Sequence, residues 1–298
     1  MQPLISKNTL IIDKLADALS ESTGDLLNRD FKAIASEFLA EDRAVEQIEL
    51  FISEVNKFET VDFKDKKLLE IGAGVGTFLV IARTKYKINA FGIEPSKDEF
   101  SPFNEISQTL LKEYNLPENI IISAAAEKLP FNENSFDLIY STNVLEHVQN
   151  PQLVIEESIR VLKPGGYLQF VIPNYFSFWE GHYGIFWPCL TNRFLAKAYA
   201  KLAGQNPKYI DTLQLINPFD LRKILIKIKN KVEILSWGKD VFKKRLSTGN
   251  YTDWASLQKI RPIISFLQKL KLSSLAANVF NQFEMYTPIV LTVRKIDN

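Results

Sequence analysis

Apolar positions between residues 9 and 58 recur every three or four residues: Phe31, Ile34 and Phe38, then Val45, Ile48, Ile52 and Val55. That spacing puts them on one face of successive helices, with charged residues filling the positions between. The helical period stops at 61–66, and short apolar runs take its place. Residues 67–71 (KLLEI) end in glycines, as a buried strand does, and 77–85 reads as a helix. Further strands are predicted at 90–93 (AFGI), 119–123 (NIIIS), 136–141 (FDLIYS) and 167–172 (YLQFVI). A helix falls within 97–114, and another spans 151–162 with Pro151 in its first turn. Residues 163–166 (KPGG) read as a turn. Strands alternating with helices predict a parallel sheet covered on both faces, with ligands beyond the carboxyl ends of the strands.

Beyond Pro173 the pattern loosens. Residues 175–216 are aromatic-rich, with Trp179, Tyr183, Phe186 and Trp187 close together. Residues 219–229 read as a helix, 232–237 (VEILSW) as a strand, 250–283 as helical, and 288–293 (PIVLTV) as a last strand. The expected fold is α/β: a Rossmann-like, seven-stranded, mostly parallel sheet with helices on both faces. Its expected divisions are an N-terminal helical segment (1–60), an α/β core (61–174) and a cap insertion (175–216). A core helix and strand (217–239), a second helical insertion (240–284) and a last core strand (285–298) follow.

Composition adds limits. The 298 residues are 46% hydrophobic and 24% charged, enough for a sizeable core. Net charge is +1, but residues 1–174 hold 17 Lys/Arg against 27 Asp/Glu, a balance of −10, and residues 175–298 hold 19 against 8, a balance of +11. Such asymmetry suggests surfaces with different tasks. Cys189 is the sole cysteine, which excludes an internal disulfide. No basic-then-apolar leader opens the chain, and no apolar run reaches about 18 residues. A cytoplasmic location is therefore expected.

Candidate chemistry lies in the loop after the first strand, Gly72-Ala73-Gly74-Val75-Gly76. Glycines there allow a tight turn and close approach of a ligand to backbone, and the next helix aims its N–H groups at the same place. A dinucleotide fingerprint needs G-x-G-x-x-G, whose third glycine would fall on Thr77. Glu70, just before the loop, would repel a pyrophosphate but suits a ligand bearing an ammonium group. Glu94 ends the second strand, where a carboxylate can accept from ribose hydroxyls.

The ordered blocks LLEIGAGVGTF, GIEPS, AEKLPF, FDLIYSTNVLEHV and LKPGGYLQF resemble the class I S-adenosylmethionine-dependent methyltransferases, most of all the branch similar to quinone-biosynthesis methyltransferases. The resemblance covers about residues 66–174. It implies S-adenosyl-L-methionine as cofactor, with Gly72, Ala73 and Gly74 cradling its amino-acid part and Glu70 near its ammonium. Glu94, with Pro95 beside it, would hold the ribose. Ala126 and Glu127 would border the adenine, with Leu129 supporting it, and Asn143 and Val144 would line the methyl-donor region. Many relatives carry Asp where this chain has Ala125, so adenine would rely on backbone groups and packing, or on the Glu127 side chain.

The acceptor is not named by any motif. A small-molecule, glycan or lipid-precursor acceptor is expected, methylated at oxygen, because no Asn/Asp-Pro-Pro-aromatic motif of amino-group methylators is present. The two histidines, His147 in the Leu-Glu-His triplet and His182 in the cap, are the candidate catalytic residues. His182, placed after the fifth strand, is expected as general base. Each is also compatible with a purely structural polar role. Glu146 and His147 alone make too thin a set for a metal, so none is expected. The aromatic block 175–190 could be an acceptor pocket or the cap's own core. Lys223, Lys227 and Lys231, beside Arg222 and Lys229, could meet an anionic acceptor or a membrane surface, or simply form a solvated face. Nucleic acid is not expected as a partner. The rival readings are a cofactor-binding protein without catalysis and a nicotinamide-dependent oxidoreductase.

Overall fold

The computed structural model describes residues 9–95, 101–249 and 260–296. Ser96 and the 250–259 portion of the expected helix lie outside the described residues. Three helices come first: α1 (Thr9–Thr23), α2 (Phe31–Phe38) and α3 (Glu41–Asn56). Asp30 caps α2 by accepting from the Ala33 N–H. Then β1 (Lys67–Ile71), α4 (Thr77–Thr84), β2 (Asn89–Glu94), α5 (Ser101–Glu113), β3 (Ile121–Ser123), β4 (Phe136–Thr142), α6 (Pro151–Val161) and β5 (Leu162–Ile172) follow. Asn150 accepts from Leu153 N–H and Pro151 opens α6, which explains its sharp start.

The remaining elements are a small hairpin, β6 (Trp179–Glu180) and β7 (Ile185–Phe186), then α7 (Arg193–Leu202), α8 (Pro218–Lys227), β8 (Val232–Ser236), α9 (Lys239–Thr248), α10 (Arg261–Lys269), α11 (Ser273–Gln282) and β9 (Ile289–Lys295). The main sheet has seven strands in the order β3-β2-β1-β4-β5-β9-β8. β9 runs antiparallel to both β5 and β8, and the pairs from β3 to β5 are parallel. The strand order reverses between β1 and β4, so the crevice for a ligand opens at their carboxyl ends.

Alternation along the strands divides the core. Leu68, Leu138 and Tyr140 face α1–α5, whereas Leu69, Ile71 and Ile139 face α6, α8 and the C-terminal helices. Both sets are buried, which is why the strands read as continuous apolar runs. The N-terminal helices share this core: Leu15, Ile48 and Phe51 are buried in the same cluster as Leu68 and Tyr140.

The expected turn at 163–166 is a bulge inside a longer strand. Phe136 pairs with Leu162 and Leu138 with Tyr167, so the intervening β5 residues stand opposite Asp137 alone. Lys163 fixes the bulge through a 2.8 Å contact to Asp137 Oδ1, while Asp137 Oδ2 accepts from Lys67 N–H. β3 is shorter than expected because 118–120 forms a 3-10 turn.

The aromatic block makes a third cluster: Tyr175, Tyr183 and Trp187 pack with Ala196, Ala200 and Tyr209, and with Leu27 from the N-terminal segment. These rings form a core of their own within residues 175–216, with Trp187 fully buried.

Candidate active site

The loop after β1 is held by its own backbone. Gly72 and Ala73 both donate to Ile93 O, and Gly76 N–H donates to Ala73 O. Gly72 sits at φ +78°, and a Cβ there would meet Val144 Cγ2 at 2.2 Å. At Gly74 a Cβ would meet nothing within 4 Å among the described residues, so these leave space above this glycine. Its N–H donates to Glu94 Oε2 at 2.8 Å, tying the loop to the end of β2.

Two buried acids converge here. Glu70 is 4% exposed and, among the described residues, its Oε2 has no hydrogen-bond partner. Burial, then the neighbouring Glu94, push its carboxyl well above the usual range. Glu94 is raised to about 7 by burial, with the Gly74 N–H opposing the rise. An orphaned buried carboxylate beside an open glycine turn is what a ligand with an ammonium group would complete.

Asn143, after β4, adopts φ +53° and donates its N–H to Val171 O, while its buried Oδ1 lacks a partner among the described residues. It borders a small cleft shared with Arg43, Gln47, Leu50, Tyr140 and Thr142. Ala126 and Leu129 are buried in the cluster that holds Ile71, Ile93 and Ile139. Glu127 is engaged elsewhere: its Oε1 accepts from the N–H groups of Gln149 and Asn150, at 2.9 and 3.4 Å, fastening the loop to the start of α6. Of the two sequence-level routes to adenine, that oxygen is committed to the helix. Pro95 ends the described stretch beyond Glu94.

The two histidines, distant in sequence, meet in space, their rings 5.3 Å apart and perpendicular. Glu146 joins them, fully buried, with neither carboxylate oxygen hydrogen-bonded among the described residues. Donor atoms of Glu146, His147 and His182 lie within 4.8 Å of one another, so the three together could hold a cation. Burial raises Glu146 to about 7, against the pull of His182. His147 keeps 39% of its side chain in solvent, and surrounding packing, then His182, disfavour its charged form.

His182 is only 19% exposed at its side chain, and its Nδ1 lies 2.7 Å from Glu180 Oε1. Burial opposes charge on this ring, but the charge and hydrogen bond of Glu180 outweigh it, so its pKa is raised. Glu180 also accepts from the His182 and Tyr183 N–H groups. From outside, Arg29 donates to the carbonyls of Gly181 and His182. Sequence reasoning missed Glu180 and Arg29. Glu180 sits two residues from His182 and was in view, but nothing in its spacing shows that it is buried.

The basic row on α8 is largely paired. Lys223 reaches Asp220, Lys227 reaches Gln152 and Arg222 reaches Glu284. Cys189, half-buried in the cap, has its thiol pushed up by burial, the state of an unreactive thiol. Among the described residues, no helix is long and apolar enough to cross a membrane.

A family model described as a methyltransferase domain matches residues 40–225. The norajmaline N-methyltransferase of Rauvolfia serpentina is 33% identical over 111 residues, covering 37% of each chain. The chain thus spans under two fifths of the length of the first curated relatives it matches. Among solved structures, phosphoethanolamine N-methyltransferase 2 of Haemonchus contortus, bound to phosphomonomethylethanolamine and S-adenosylhomocysteine, superposes with a TM-score of 0.52 at 15% identity, over 95% of this chain and 60% of that one. The cyclase SpnF superposes with a TM-score of 0.51 at 17% identity, over 100% and 98%. These two likenesses concern the fold. The family match over most of the chain, the orphaned Glu70 and the glycine cradle at its side agree: this chain belongs to the methyltransferase-domain family, and its cofactor is S-adenosylmethionine.

Proposed function

We propose that the chain is a methyltransferase that moves the methyl group of S-adenosylmethionine to an oxygen of a small-molecule, glycan or lipid-precursor acceptor. The observation that carries the reading is the unpartnered Oε2 of Glu70, buried beside the open turn at Gly74. Glu70 would meet the cofactor's ammonium, Gly72–Gly74 backbone its carboxylate end, and Glu94 its ribose. Ala126 and Leu129 would pack against adenine, with backbone groups of that loop supplying the polar contacts. Asn143 and Val144 would border the reacting methyl. The sulfonium supplies an activated methyl with a neutral leaving group, so the chain's task is alignment.

An oxygen acceptor must also lose a proton. The cap sets a carboxylate–histidine pair, Glu180 and His182, beside His147 and Glu146 just beyond β4. With Nδ1 held by Glu180, His182 keeps Nε2 for the acceptor's hydroxyl and serves as its general base. Norajmaline and phosphoethanolamine, in the names of two relatives, are small molecules methylated at nitrogen. They support the acceptor's size, while the oxygen assignment rests on this chain's own residues.

The test combines titration with S-adenosylhomocysteine and transfer from labelled donor to a panel of hydroxylated acceptors. Saturable binding, with transfer that His182→Gln lowers at least tenfold while binding persists, is the expected result. Absence of binding to the wild type would overturn the cofactor site. Full turnover in His182→Gln would overturn the base.

A further inference from the structure

Glu146 poses a chemical problem. Its carboxylate is fully buried, and among the described residues neither oxygen has a hydrogen-bond partner. Buried carboxylates in proteins are paired, hydrogen-bonded or bound to a metal. Two imidazoles face it, with the Glu180 carboxylate and the hydroxyls of Tyr175 and Tyr209 in the same surroundings. His147 Nε2 stands 3.9 Å from Glu146 Oε1, too long for a hydrogen bond, and the His182 ring stands across from that of His147.

We propose that Glu146, His147 and His182 bind a divalent first-row transition-metal ion. Two imidazoles and one carboxylate form a mixed nitrogen and oxygen set suited to Zn²⁺, Mn²⁺, Fe²⁺ or Co²⁺. The donor atoms lie within 4.8 Å of one another. Bonds of about 2.1 Å place donors at most about 4.2 Å apart, so small side-chain rotations close the set.

The surroundings support the assignment. His182 is held at Nδ1 by Glu180, which leaves Nε2 for the ion. A carboxylate behind a metal-bound histidine is a recurrent device that fixes the ring and raises its basicity. Glu180 is itself fixed by the His182 and Tyr183 N–H groups, and Arg29 anchors the same loop. His147, partly in solvent, gives an ion and an acceptor a way in. Three protein donors leave coordination positions open.

The inference rests on the reading above for the place of the acceptor, but not for the binding of the ion. A bound ion changes the work of His182. Its Nε2 becomes a ligand, and an acceptor hydroxyl in an open position ionises under the cation's charge. The O–H bond breaks, the proton passes to bulk water, and the oxygen's electron pair forms the new C–O bond as the methyl C–S bond breaks, its pair staying on the sulfur of the neutral thioether. His182 is the base only in the ion-free site.

The experiment is titration of the full chain, stripped with chelator and dialysed, with Co²⁺ followed by its visible d–d absorption. Saturation at one ion per chain is expected, with the bands lost in Glu146→Gln and His182→Gln. Glu180→Gln should weaken binding ~10- to 100-fold, since it removes only the group behind the ligand. S-adenosylhomocysteine binding, measured on each variant, reports whether it is folded. Should a variant not fold, Cu²⁺ resonance spectra of the wild type take over, and nitrogen couplings from two imidazoles are expected. Absent or non-saturating bands in the wild type, or unchanged binding in folded variants, would overturn the metal site. Co²⁺ bands without S-adenosylhomocysteine binding would instead overturn the methyltransferase reading and leave the metal site standing.

Discussion

Gly72→Ala tests the geometry of the loop after β1, the proposed cofactor site, most directly. The substitution adds one carbon at φ +78°, where it meets Val144 Cγ2 at 2.2 Å. Holding an L-residue in left-handed backbone costs ~1–2 kcal/mol, and forcing an extra methyl into occupied space costs ~1–3 kcal/mol. Alanine's narrower unfolded ensemble returns less than ~1 kcal/mol. The net loss is then about 3 kcal/mol, and with ~2–4 °C per kcal/mol for large domains the midpoint falls by at least ~6 °C. Valine cannot yield cheaply, because its branched Cβ restricts rotation about χ1. Val144→Ala in the same chain should therefore recover the steric part, ~1–3 kcal/mol, and leave the backbone strain. Urea unfolding of the four proteins measures this coupling, and titration with S-adenosylhomocysteine should show at least tenfold weaker binding in Gly72→Ala. Losses that simply add, or a Gly72→Ala protein within ~0.5 kcal/mol of the wild type, would refute the contact.

Two further outcomes follow from buried polar groups. Burial lifts Glu94 to about 7 from 4.5, so its contribution to stability is present at low pH and lost as pH rises through that interval. Glu94→Gln stays neutral, so urea unfolding should find it more stable than wild type by up to ~3 kcal/mol at pH 8, with weaker cofactor binding. At pH 4 this gain should be gone; a pH-independent difference would contradict the shift. Asn174 donates to the carbonyls of Glu284 and Tyr286 and accepts from Phe176 N–H where β5 leads into the cap. Asn174→Ala should cost ~2–4 kcal/mol in the same assay by stranding those groups, and a change under ~0.5 kcal/mol would refute that.

Legibility in the sequence followed the range of the interactions. β1 and the loop after it were readable because a buried strand and its turn are written in adjacent residues, Leu68 to Gly76. The start of α6 was readable from Pro151 for the same reason. The direction of β9 was not: Ile289 to Val293 are buried on both faces, and an apolar run reads alike either way along. Nor was the bulge opposite Asp137, since a KPGG run suits a turn as well as a bulge and only the pairing of β4 with β5 decides. At the site, Glu70, Glu94 and the glycines could be placed because they sit at strand ends. The meeting of His147 with His182 could not, because the cap's path depends on long-range packing around Trp187 and on Arg29. Glu127 shows the converse limit: position put it at the adenine loop, but the open N–H groups before α6 claim its Oε1.

The placement of β9 between β5 and β8 bears on how a nascent chain can fold. Among the described residues β8 borders only β9 in the sheet, and β5 has no partner on that side until β9 arrives. Ribosomes add ~5–20 residues per second, so on the order of ten seconds separate the emergence of β5 from that of β9. During this interval the apolar edge made by Leu168, Phe170 and Ile172 lies open on a half-made sheet, the condition under which strand edges find wrong partners. Trigger-factor-like protection or a pause in translation would matter most in that window, and a chain stalled before Ile289 would expose a sticky edge where the finished protein has the middle of a sheet.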